Sequence, residues 1–295
     1  MYPRRPPGGQ AVTDYAGLLK QGTAGLEKAG VEDIELNARE LLGKALGINC
    51  RSRDFDAALS RQIDPQVQME FENLCKRRTE GEPLQYLVGE WEFYGLTFKV
   101  GEGVLIPRQD TETVVDTVLK KAPKDRKLTV ADLCTGSGCI AMALEKHLDC
   151  RQLIGVELSD KALGFLQHNI KLNDSKMQVL KGDVTLKQTA QQLPVCDVIT
   201  ANPPYLTRRD MENLQKEVTF EPRSALYGGD DGLDFYRHIV INFKDRIKPG
   251  GFFAFEIGAG MEEDVMTILV RHGFENVRAS RDACGIFRCV TGYKK

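Results

Sequence analysis

LTVADLCTGSG, residues 128–138, joins a short apolar run to a glycine-rich turn. Comparable apolar runs follow, separated by stretches with helical character: QLIGVEL (152–158), MQVLKG (177–182), VCDVITA (195–201) and GFFAFEIG (251–258). This alternation is typical of a parallel sheet covered by helices on both faces. Two further runs close together, FENVRAS (274–280) and GIFRCVTGY (285–293), predict an antiparallel pair of strands. The sequence therefore predicts an α/β fold here.

The N-terminal part has a different sequence pattern, which predicts helices separated by short turns. Apolar residues between Ile34 and Leu46 keep near-helical spacing, and Gly47 follows as a stop signal. Asp64 and Pro65 predict an N-cap and the first residue of a helix. Apolar and aromatic residues around Gly95 predict a two-stranded hairpin. We therefore expect a helical domain over 11–83, a β-hairpin connector over 84–107 and the α/β domain over 108–295.

Composition and charge exclude whole classes of protein. The 295 residues are 42% hydrophobic and 28% charged, which is ordinary globular usage and argues against disorder. No apolar run is long enough for a transmembrane helix, so we expect no membrane partner. A formal charge of −2 gives no basic surplus for nucleic acid. Eight cysteines without a CxxC pair are typical of a reducing compartment and predict a cytoplasmic protein.

The glycine-rich turn is the first candidate binding element. Gly136 and Gly138 let a ligand approach the backbone, and the start of the following helix offers unpaired N–H groups. A tight strand-to-helix turn explains the same residues about as well on its own. The dinucleotide pattern GxGxxG has Ala141 at its third position, which lowers the case for a nicotinamide cofactor without removing it.

Two acidic residues follow the next two apolar runs. Glu157, 25 residues after Asp132, can bind both ribose hydroxyls of a nucleoside through charge-assisted hydrogen bonds. The Asp183 carboxylate can accept a hydrogen bond from the exocyclic amine of adenine. Taken singly, the first can equally be a solvated acid and the second a turn residue. Because ligands bind at the carboxyl ends of parallel strands, the three signals together predict a nucleoside site.

Asn202-Pro203-Pro204-Tyr205, directly after the run at 195–201, is the most specific signal in the chain. Two prolines leave a stretch of backbone with carbonyl oxygens and no N–H donors. The Asn202 side-chain oxygen adds a further acceptor, and such a site grips an NH₂ group by both hydrogens. Tyr205 offers a flat face for a planar amide or base. A rigid turn or a peptide-recognition segment is the alternative interpretation.

Together these elements resemble a class I methyltransferase that uses S-adenosylmethionine and methylates a planar NH₂ nitrogen. Longer motifs narrow the resemblance to the PrmC/HemK family: IPRQDTE (106–112), EPRSAL (221–226), GGDDGL (228–233) and FEIG (255–258). That family comprises protein-(glutamine-N5) methyltransferases that act on peptide chain release factors. The likeness runs from about residue 84 to 292 and is looser in the helical N-terminal part.

The resemblance implies a Rossmann-like, mostly parallel seven-stranded sheet with a small N-terminal helical domain. It implies S-adenosylmethionine as cofactor and the glutamine of the GGQ motif in class 1 release factors as the methyl acceptor, in a reaction that supports translation termination. The helical domain is expected to bind the release factor rather than perform chemistry. We expect a monomer that does not bind nucleic acid directly.

The resemblance also implies roles for individual residues. The cofactor is expected against Cys134, Thr135, Gly136, Ser137, Gly138, Glu157, Asp183, Val184 and Asn202. The glutamine amide is expected against Asn202, Pro203, Pro204 and Tyr205. Within that set, the Asn202 side-chain oxygen and the Pro203 main-chain oxygen are expected to be the catalytic groups, which accept hydrogen bonds from the two hydrogens of the glutamine amide.

Two positions depart from the family pattern. Cys134 stands where the family loop often has glycine, so we expect the closest backbone approach at Gly136 instead. Val184 stands where some relatives carry an aromatic residue, which predicts weaker packing against adenine.

The chemistry is expected to need neither a metal ion nor a dedicated general base. The histidines fall in predicted helices, where they are usually surface or core residues: His147, His168, His238 and His272. Two other functions fit part of the pattern, an adenine-N6 methyltransferase acting on DNA or RNA and a non-catalytic nucleoside-binding scaffold. Against the first stands the lack of a basic surplus, and against the second the intact Asn202 and glycine turn.

The tripeptide Gly8-Gly9-Gln10 repeats the target that the resemblance names in release factors. Chance is the simpler explanation in a glycine-containing tail. Self-methylation is the alternative, and the mass of Gln10 after incubation with cofactor tests it.

Overall fold

A computed structural model describes residues 13–295. The Gly8-Gly9-Gln10 hypothesis lies outside these described residues. The chain forms two compact units, one ending at Val88 and one beginning at Gly89. Within residues 13–295, no helix is both long and apolar enough to cross a membrane.

The first unit is helical in its described part. Its helices are α1 (Tyr15–Lys28), α2 (Ile34–Leu46), α3 (Arg53–Ala58), α4 (Pro65–Thr79) and α5 (Leu84–Val88). Gly47 caps the end of α2 with a φ of 67°, a left-handed conformation that suits glycine. Asp64 caps α4 by accepting a hydrogen bond from the Gln66 N–H at 2.8 Å, with Pro65 as the first helical residue. Both predicted helix boundaries are therefore confirmed.

The predicted hairpin is real but shorter than expected. It consists of β1 (Glu90–Phe93) and β2 (Leu96–Lys99), joined at Tyr94 and Gly95, which both have positive φ. Residues 84–88, which the sequence assigned to the hairpin connector, form α5 instead. The Pro83 carbonyl accepts the Tyr86 and Leu87 N–H groups, and Leu84 and Leu87 are buried at a helical spacing. This i, i+3 pattern favours a helical turn over a strand.

The second unit is built on a seven-stranded sheet. Its strands are β3 (Leu128–Leu133), β4 (Cys150–Glu157), β5 (Gln178–Lys181), β6 (Cys196–Ala201), β7 (Ile247–Glu256), β8 (Phe274–Arg281) and β9 (Phe287–Lys294). They lie in the order β5-β4-β3-β6-β7-β9-β8, parallel except for β9, which is antiparallel to both its neighbours. The predicted mostly parallel seven-stranded sheet is confirmed.

Helices cover both faces of this sheet. They are α6 (Glu112–Lys121), α7 (Cys139–His147), α8 (Asp160–Leu172), α9 (Lys187–Gln191), α10 (Arg208–Glu212), α11 (Asp234–Phe243) and α12 (Glu262–Arg271). One buried cluster joins sheet residues such as Ile199 and Phe253 to Tyr236 of α11, and the other joins Val198 and Phe252 to Val115 of α6. Adjacent residues of one strand thus enter opposite cores, as the pleat of a strand requires.

The direction of winding places a crevice in the middle of the sheet. From β3 the chain moves outward through β4 to β5, and then returns to pair β6 on the other side of β3. The carboxyl ends of β3 and β6 therefore lie at a topological switch point, where open α/β sheets bind their ligands.

A buried aspartate ties three strands of the sheet together. Asp197 of β6 accepts hydrogen bonds from the Thr129 N–H of β3 at 2.7 Å and from Lys248 Nζ of β7 at 2.8 Å, and it also pairs with Arg126. The Asp197 side chain is only 1% exposed, whereas the two cations reach the surface. Burial by itself would raise the pKa of Asp197, but the hydrogen bonds outweigh it and hold that pKa below its ordinary value.

Asp197→Ala should lower the free energy of unfolding of the second unit by about 3 kcal/mol, because it leaves the Thr129 N–H and Lys248 without their acceptor. Urea denaturation followed by the fluorescence of Trp91, the single tryptophan of the sequence, measures this. Because the pKa is lowered on folding, the stabilisation is present at neutral pH and lost as pH falls through the folded-state value.

Asp245→Ala is the matched control, because the Asp245 side chain is 82% exposed and its ion pair is long, with 4.0 Å between Asp245 Oδ1 and Lys294 Nζ. It should change stability by no more than about 0.5 kcal/mol. Equal losses for the two variants would show that Asp197 does not hold the strands together.

Candidate functional site

A cavity of about 770 Å³ lies at the carboxyl ends of β3 to β6, within the size range of small-molecule sites. Most of the residues predicted to bind cofactor or substrate line it. They are Cys134, Thr135, Gly136, Ser137, Glu157, Asp183, Val184, Asn202 and Pro204. The structure therefore brings the glycine-rich turn, the two acids and the Asn-Pro-Pro-Tyr segment to one place.

Three predicted residues are not among the described residues that line this cavity, namely Gly138, Pro203 and Tyr205. Gly138 has a packing role, since a Cβ there would lie 2.7 Å from the side chains of Leu166 and Met142. The Tyr205 ring faces Gly258, with its Cδ2 atom 3.2 Å from a Cβ built at that glycine. Stacking of Tyr205 on a substrate amide stays a prediction.

The glycine-rich turn carries backbone strain at a residue that is not glycine. Cys134 has a φ of 55°, in the left-handed region, as do Gly136 at 55° and Gly138 at 86°. A left-handed L-residue costs about 1–2 kcal/mol relative to the right-handed conformation. The turn thus holds a cysteine in a backbone conformation that glycine adopts at lower cost. A Cβ at Gly136 would meet no atom within 4 Å, so this position is open to a ligand.

Glu157 is held rigidly at the end of β4. Its Oε2 atom accepts the Gly136 N–H at 2.9 Å, and its Oε1 atom accepts the Leu158 and Ser159 N–H groups at 2.9 and 2.8 Å. The Gly136 N–H is therefore taken by this carboxylate. Oε1 already accepts two N–H groups and Oε2 accepts one, so one acceptor site, on Oε2, remains for a hydroxyl group in the cavity.

A second carboxylate, Asp132, lies beneath the turn and organises it. Asp132 is 1% exposed and accepts hydrogen bonds from the hydroxyls of Thr135, at 2.5 Å, and Thr200, at 2.6 Å. Burial raises the pKa of Asp132 to about 6, although both hydroxyl bonds oppose the shift. The pair of bonds connects the turn after β3 to the neighbouring strand β6.

Asp183 is a turn residue that also lies on the cavity lining. Its Oδ1 atom accepts the Thr185 N–H at 2.8 Å and the Thr185 hydroxyl at 2.7 Å, which makes it a turn residue. Asp183 also lines the cavity, and no described residue donates to its Oδ2 atom. Val184 beside it is 4% exposed and belongs to the core under the cavity.

Asn202 projects into the cavity from the end of β6. Its Nδ2 atom lies 3.5 Å from the Thr111 hydroxyl oxygen, a long hydrogen bond. Thr111, from the 106–112 motif, lines the same cavity. The sequence contained this motif but not a role for Thr111.

The segment Asn202–Tyr205 is packed against two glycines of the 228–233 motif. A Cβ at Gly228 would lie 2.5 Å from the Pro204 carbonyl oxygen, and one at Gly232 would lie 2.3 Å from that of Tyr205. Leu206, the next residue, exchanges backbone hydrogen bonds with Leu226 and Gly228 at 2.8 and 2.9 Å. These close approaches explain why the 228–233 motif needs glycine at those positions.

An ion pair between Arg108, which lines the cavity, and the buried carboxylate of Glu221 fixes the adjoining loops. Glu221 accepts the Ile106 N–H at 3.0 Å and the guanidinium of Arg108, and its side chain is 1% exposed. Burial raises the pKa of Glu221, with Arg108 opposing the shift. This contact joins the 106–112 and 221–226 motifs, whose residues Ile106, Arg108 and Arg223 all line the cavity.

The histidines lie elsewhere. His147, His168 and His238 are in helices as predicted, whereas His272 directly follows α12 as its C-cap. None of the four is among the described residues that line the cavity.

Two family models match the chain. The PrmC N-terminal domain model matches residues 17–89, and the methyltransferase small domain model matches residues 108–229.

Full-length relatives and solved structures agree with these matches. The chain is 40% identical to the release factor glutamine methyltransferase of Geobacter sulfurreducens, over 90% of this chain and 92% of that protein. It is 37% identical to the same enzyme of Thermodesulfovibrio yellowstonii, over 88% of this chain and 94% of that protein.

Among solved structures, the hMettl16 catalytic domain in complex with a 3′UTR hairpin matches 69% of this chain and 76% of its own at 14% identity, with a TM-score of 0.54. The Thermus thermophilus 16S rRNA methyltransferase RsmC, solved with AdoMet and guanosine, matches 70% of this chain and 50% of its own at 19% identity, with a TM-score of 0.51. The second unit thus has the class I methyltransferase fold. At this identity to its relatives and over this length, the chain belongs to the release factor glutamine methyltransferase family.

Proposed function

We propose that this protein transfers a methyl group from S-adenosylmethionine to the side-chain amide nitrogen of the GGQ glutamine in class 1 release factors, in the cytoplasm. The observation that carries the proposal is the position of Asn202, which lines the cavity at the end of β6 together with Glu157 and Asp183. The names of the relatives support release factors as substrate and glutamine as the acceptor residue.

The cavity has the donor and acceptor groups that S-adenosylmethionine requires. Glu157 presents the remaining acceptor site of a fixed carboxylate to a ribose hydroxyl, and the open backbone at Gly136 admits the rest of the molecule. Asp183 has an Oδ2 atom available for the adenine amine, and Val184 provides an apolar floor. Negative charge around the cavity, from Glu157 and Asp183, also suits a cation. The bound cofactor supplies an electrophilic methyl group on a sulfonium.

The chain's own task is to make an amide nitrogen nucleophilic, because its lone pair is delocalised into the carbonyl. The Asn202 side-chain oxygen and the Pro203 main-chain oxygen would accept the two amide hydrogens. Holding both fixes the nitrogen toward the methyl group and stabilises the positive charge that it gains in the transition state. As the nitrogen bonds to the methyl carbon, the bond from that carbon to sulfur would break with its electron pair left on sulfur, and the nitrogen would then lose one proton to solvent. Positioning and electrostatics, rather than a general base, then account for the rate.

Glu157→Ala should weaken S-adenosylmethionine binding by about ten- to a hundredfold, the range for hydrogen bonds to a charged group. Isothermal titration calorimetry measures the dissociation constant directly. Glu263→Ala, an exposed glutamate on α12, is the control and should bind like the wild type. Tighter binding of NAD than of S-adenosylmethionine by the wild type would refute the cofactor assignment.

Asn202→Ala should reduce turnover on a release factor by at least about 10²–10³-fold, the cost of losing a preorganised hydrogen bond to developing charge. Asn202→Asp should lie between wild type and alanine, because a carboxylate still accepts hydrogen bonds although its charge adds a desolvation cost. Tritiated methyl transfer to release factor measures both, and cofactor affinity should change much less than turnover in the alanine variant.

The same assay separates the alternative function. Parallel reactions offer release factor, DNA and RNA to the wild type, and we expect label in the release factor alone. Asn213→Ala, an exposed asparagine after α10, is the control for Asn202 and should keep full activity. Near wild-type methylation by Asn202→Ala would show that this segment is not the amide-binding site.

We further propose that the first unit binds the release factor, since it matches the PrmC N-terminal domain model and its described residues, 13–88, do not line the cavity. A fragment of residues 89–295 should bind S-adenosylmethionine almost normally and methylate a short GGQ peptide like the full chain. Its rate on intact release factor should drop steeply. Circular dichroism verifies folding, and a full rate of the folded fragment on intact factor would disprove this role.

A further inference from the structure

We propose that Arg223, stacked on Tyr227, is a specificity-determining residue that binds main-chain carbonyl oxygens of the substrate beside the methylated glutamine. The inference rests on the proposed function and adds a contact outside the Asn-Pro-Pro-Tyr segment. Both residues line the cavity, and Arg223 is exposed, so it stands at the cavity opening. A substrate protein approaches from this side, because its target glutamine enters the cavity while the rest of it stays outside.

Arg223 belongs to the wall of the cavity that carries the predicted amide-binding segment. The Leu206 N–H donates to the Leu226 carbonyl at 2.8 Å, and the Gly228 N–H donates to the Leu206 carbonyl at 2.9 Å. Through these bonds, the segment that contains Arg223 lies directly beside Asn202–Tyr205. The arginine is therefore on the substrate side of the cavity, whereas the acids that suit the cofactor follow β4 and β5, on the far side of β3.

The charge of Arg223 is not used within the described part of the chain. Among the described residues that line the cavity, the cations are Arg108 and Arg223. Arg108 is paired with the buried carboxylate of Glu221. No carboxylate of residues 13–295 forms an ion pair with Arg223. Its guanidinium donors are therefore available to a ligand at the opening.

Tyr227 fixes the position of the guanidinium. The Cζ atom of Arg223 lies 5.4 Å from the centroid of the Tyr227 ring, within cation–π distance. The two residues belong to one turn, in which the Tyr227 N–H donates to the Arg223 carbonyl at 3.0 Å. The Tyr227 hydroxyl donates to Asp230 at 3.1 Å, and Arg208 pairs with the same carboxylate at 2.8 Å. Because the ring is held at both ends, Arg223 loses less side-chain freedom when it binds a ligand.

Main-chain carbonyl oxygens are the groups that suit this arginine. A guanidinium offers five N–H donors in one plane and no acceptor. The proposed target has two glycines directly before the glutamine, and a glycine offers an enzyme only its backbone. The neighbouring Pro203 and Pro204 have no backbone N–H with which to bind a carbonyl oxygen. Arg223 supplies the donors that this proline segment lacks, so the glutamine amide and the main chain beside it meet groups of opposite type.

The first test separates the substrate from S-adenosylmethionine, whose carboxylate is also an acceptor. In the full-length protein, Arg223→Ala should raise KM for a short GGQ peptide about tenfold, the lower end for hydrogen bonds to a charged group, because Arg223 is exposed to water. The kcat should stay within about twofold, and the calorimetric Kd for S-adenosylmethionine should not change, because the contact is far from the reacting atoms. Arg209→Ala, an exposed arginine of α10, is the control and should keep the wild-type KM. An unchanged peptide KM in Arg223→Ala, or weakened cofactor binding, would overturn the inference.

The second test identifies the group that Arg223 binds. Two GGQ peptides each carry one ester, either between the glycines or between glycine and glutamine, which weakens a single carbonyl acceptor. One of the esters should raise KM of the wild type about three- to fivefold. The same ester should cost Arg223→Ala no more than about 1.5-fold, because the two changes remove one shared contact. Equal factors in both proteins would mean that Arg223 binds another group, such as an acidic side chain, and would overturn the inference. Failure of the proposed function has a separate signature, since the wild type would then leave the glutamine of every GGQ peptide unmethylated.

Discussion

The parallel pairing of β3 with β6 is the contact on which the site depends. Asp132 pairs with Thr200 in this ladder, and the Thr200 hydroxyl donates to the Asp132 carboxylate across it at 2.6 Å. Here the sheet reverses its winding, so the loops after the two strands diverge and leave a crevice between them. The turn at 134–138 and the segment at 202–205 face each other for this reason.

Around that crevice, loops are held by polar groups that are themselves buried. Glu221 holds Ile106 and Arg108 and Asp132 holds the turn after β3, while Glu256 is buried at the end of β7. Each carboxylate has a raised pKa because it is withdrawn from water. Loops cannot be fixed by the regular ladders of a sheet, so side-chain acceptors take over the backbone and hydroxyl donors that would otherwise be unsatisfied.

Packing around the cavity restricts the backbone conformation or the residue type at several positions. Cys134 adopts a left-handed backbone that glycine adopts freely, and the surrounding bonds of the turn keep it there. At Gly228 and Gly232 the residue type is restricted by space instead, because any side chain there would collide with the backbone of Pro204 or Tyr205. One segment of the cavity wall thus tolerates strain, while another depends on the absence of side chains.

Much of this protein follows from its sequence alone. The apolar runs between 128 and 293 determined the strands and their parallel arrangement, because period and spacing depend on local residues. Glycine, proline and capping signals such as Gly47 and Asp64-Pro65 located helix boundaries. The acids and the Asn202 segment were found because strand ends in a parallel sheet meet at one edge. The connector was predicted to begin at residue 84, but Leu84 and Leu87, buried at an i, i+3 spacing, belong to the helical turn α5 that precedes the hairpin.

Only the tertiary structure decided which groups complete the site. Thr111 and Glu221 lie far apart in sequence, and each was visible only as part of a motif without a role. Their function comes from hydrogen-bond partners on other elements, such as Ile106 for Glu221, which is 115 residues away. The Gly136 N–H is likewise taken by Glu157 from a neighbouring strand. Sequence patterns encode the path of each segment, whereas satisfaction of a buried donor or acceptor depends on which segments fold against one another.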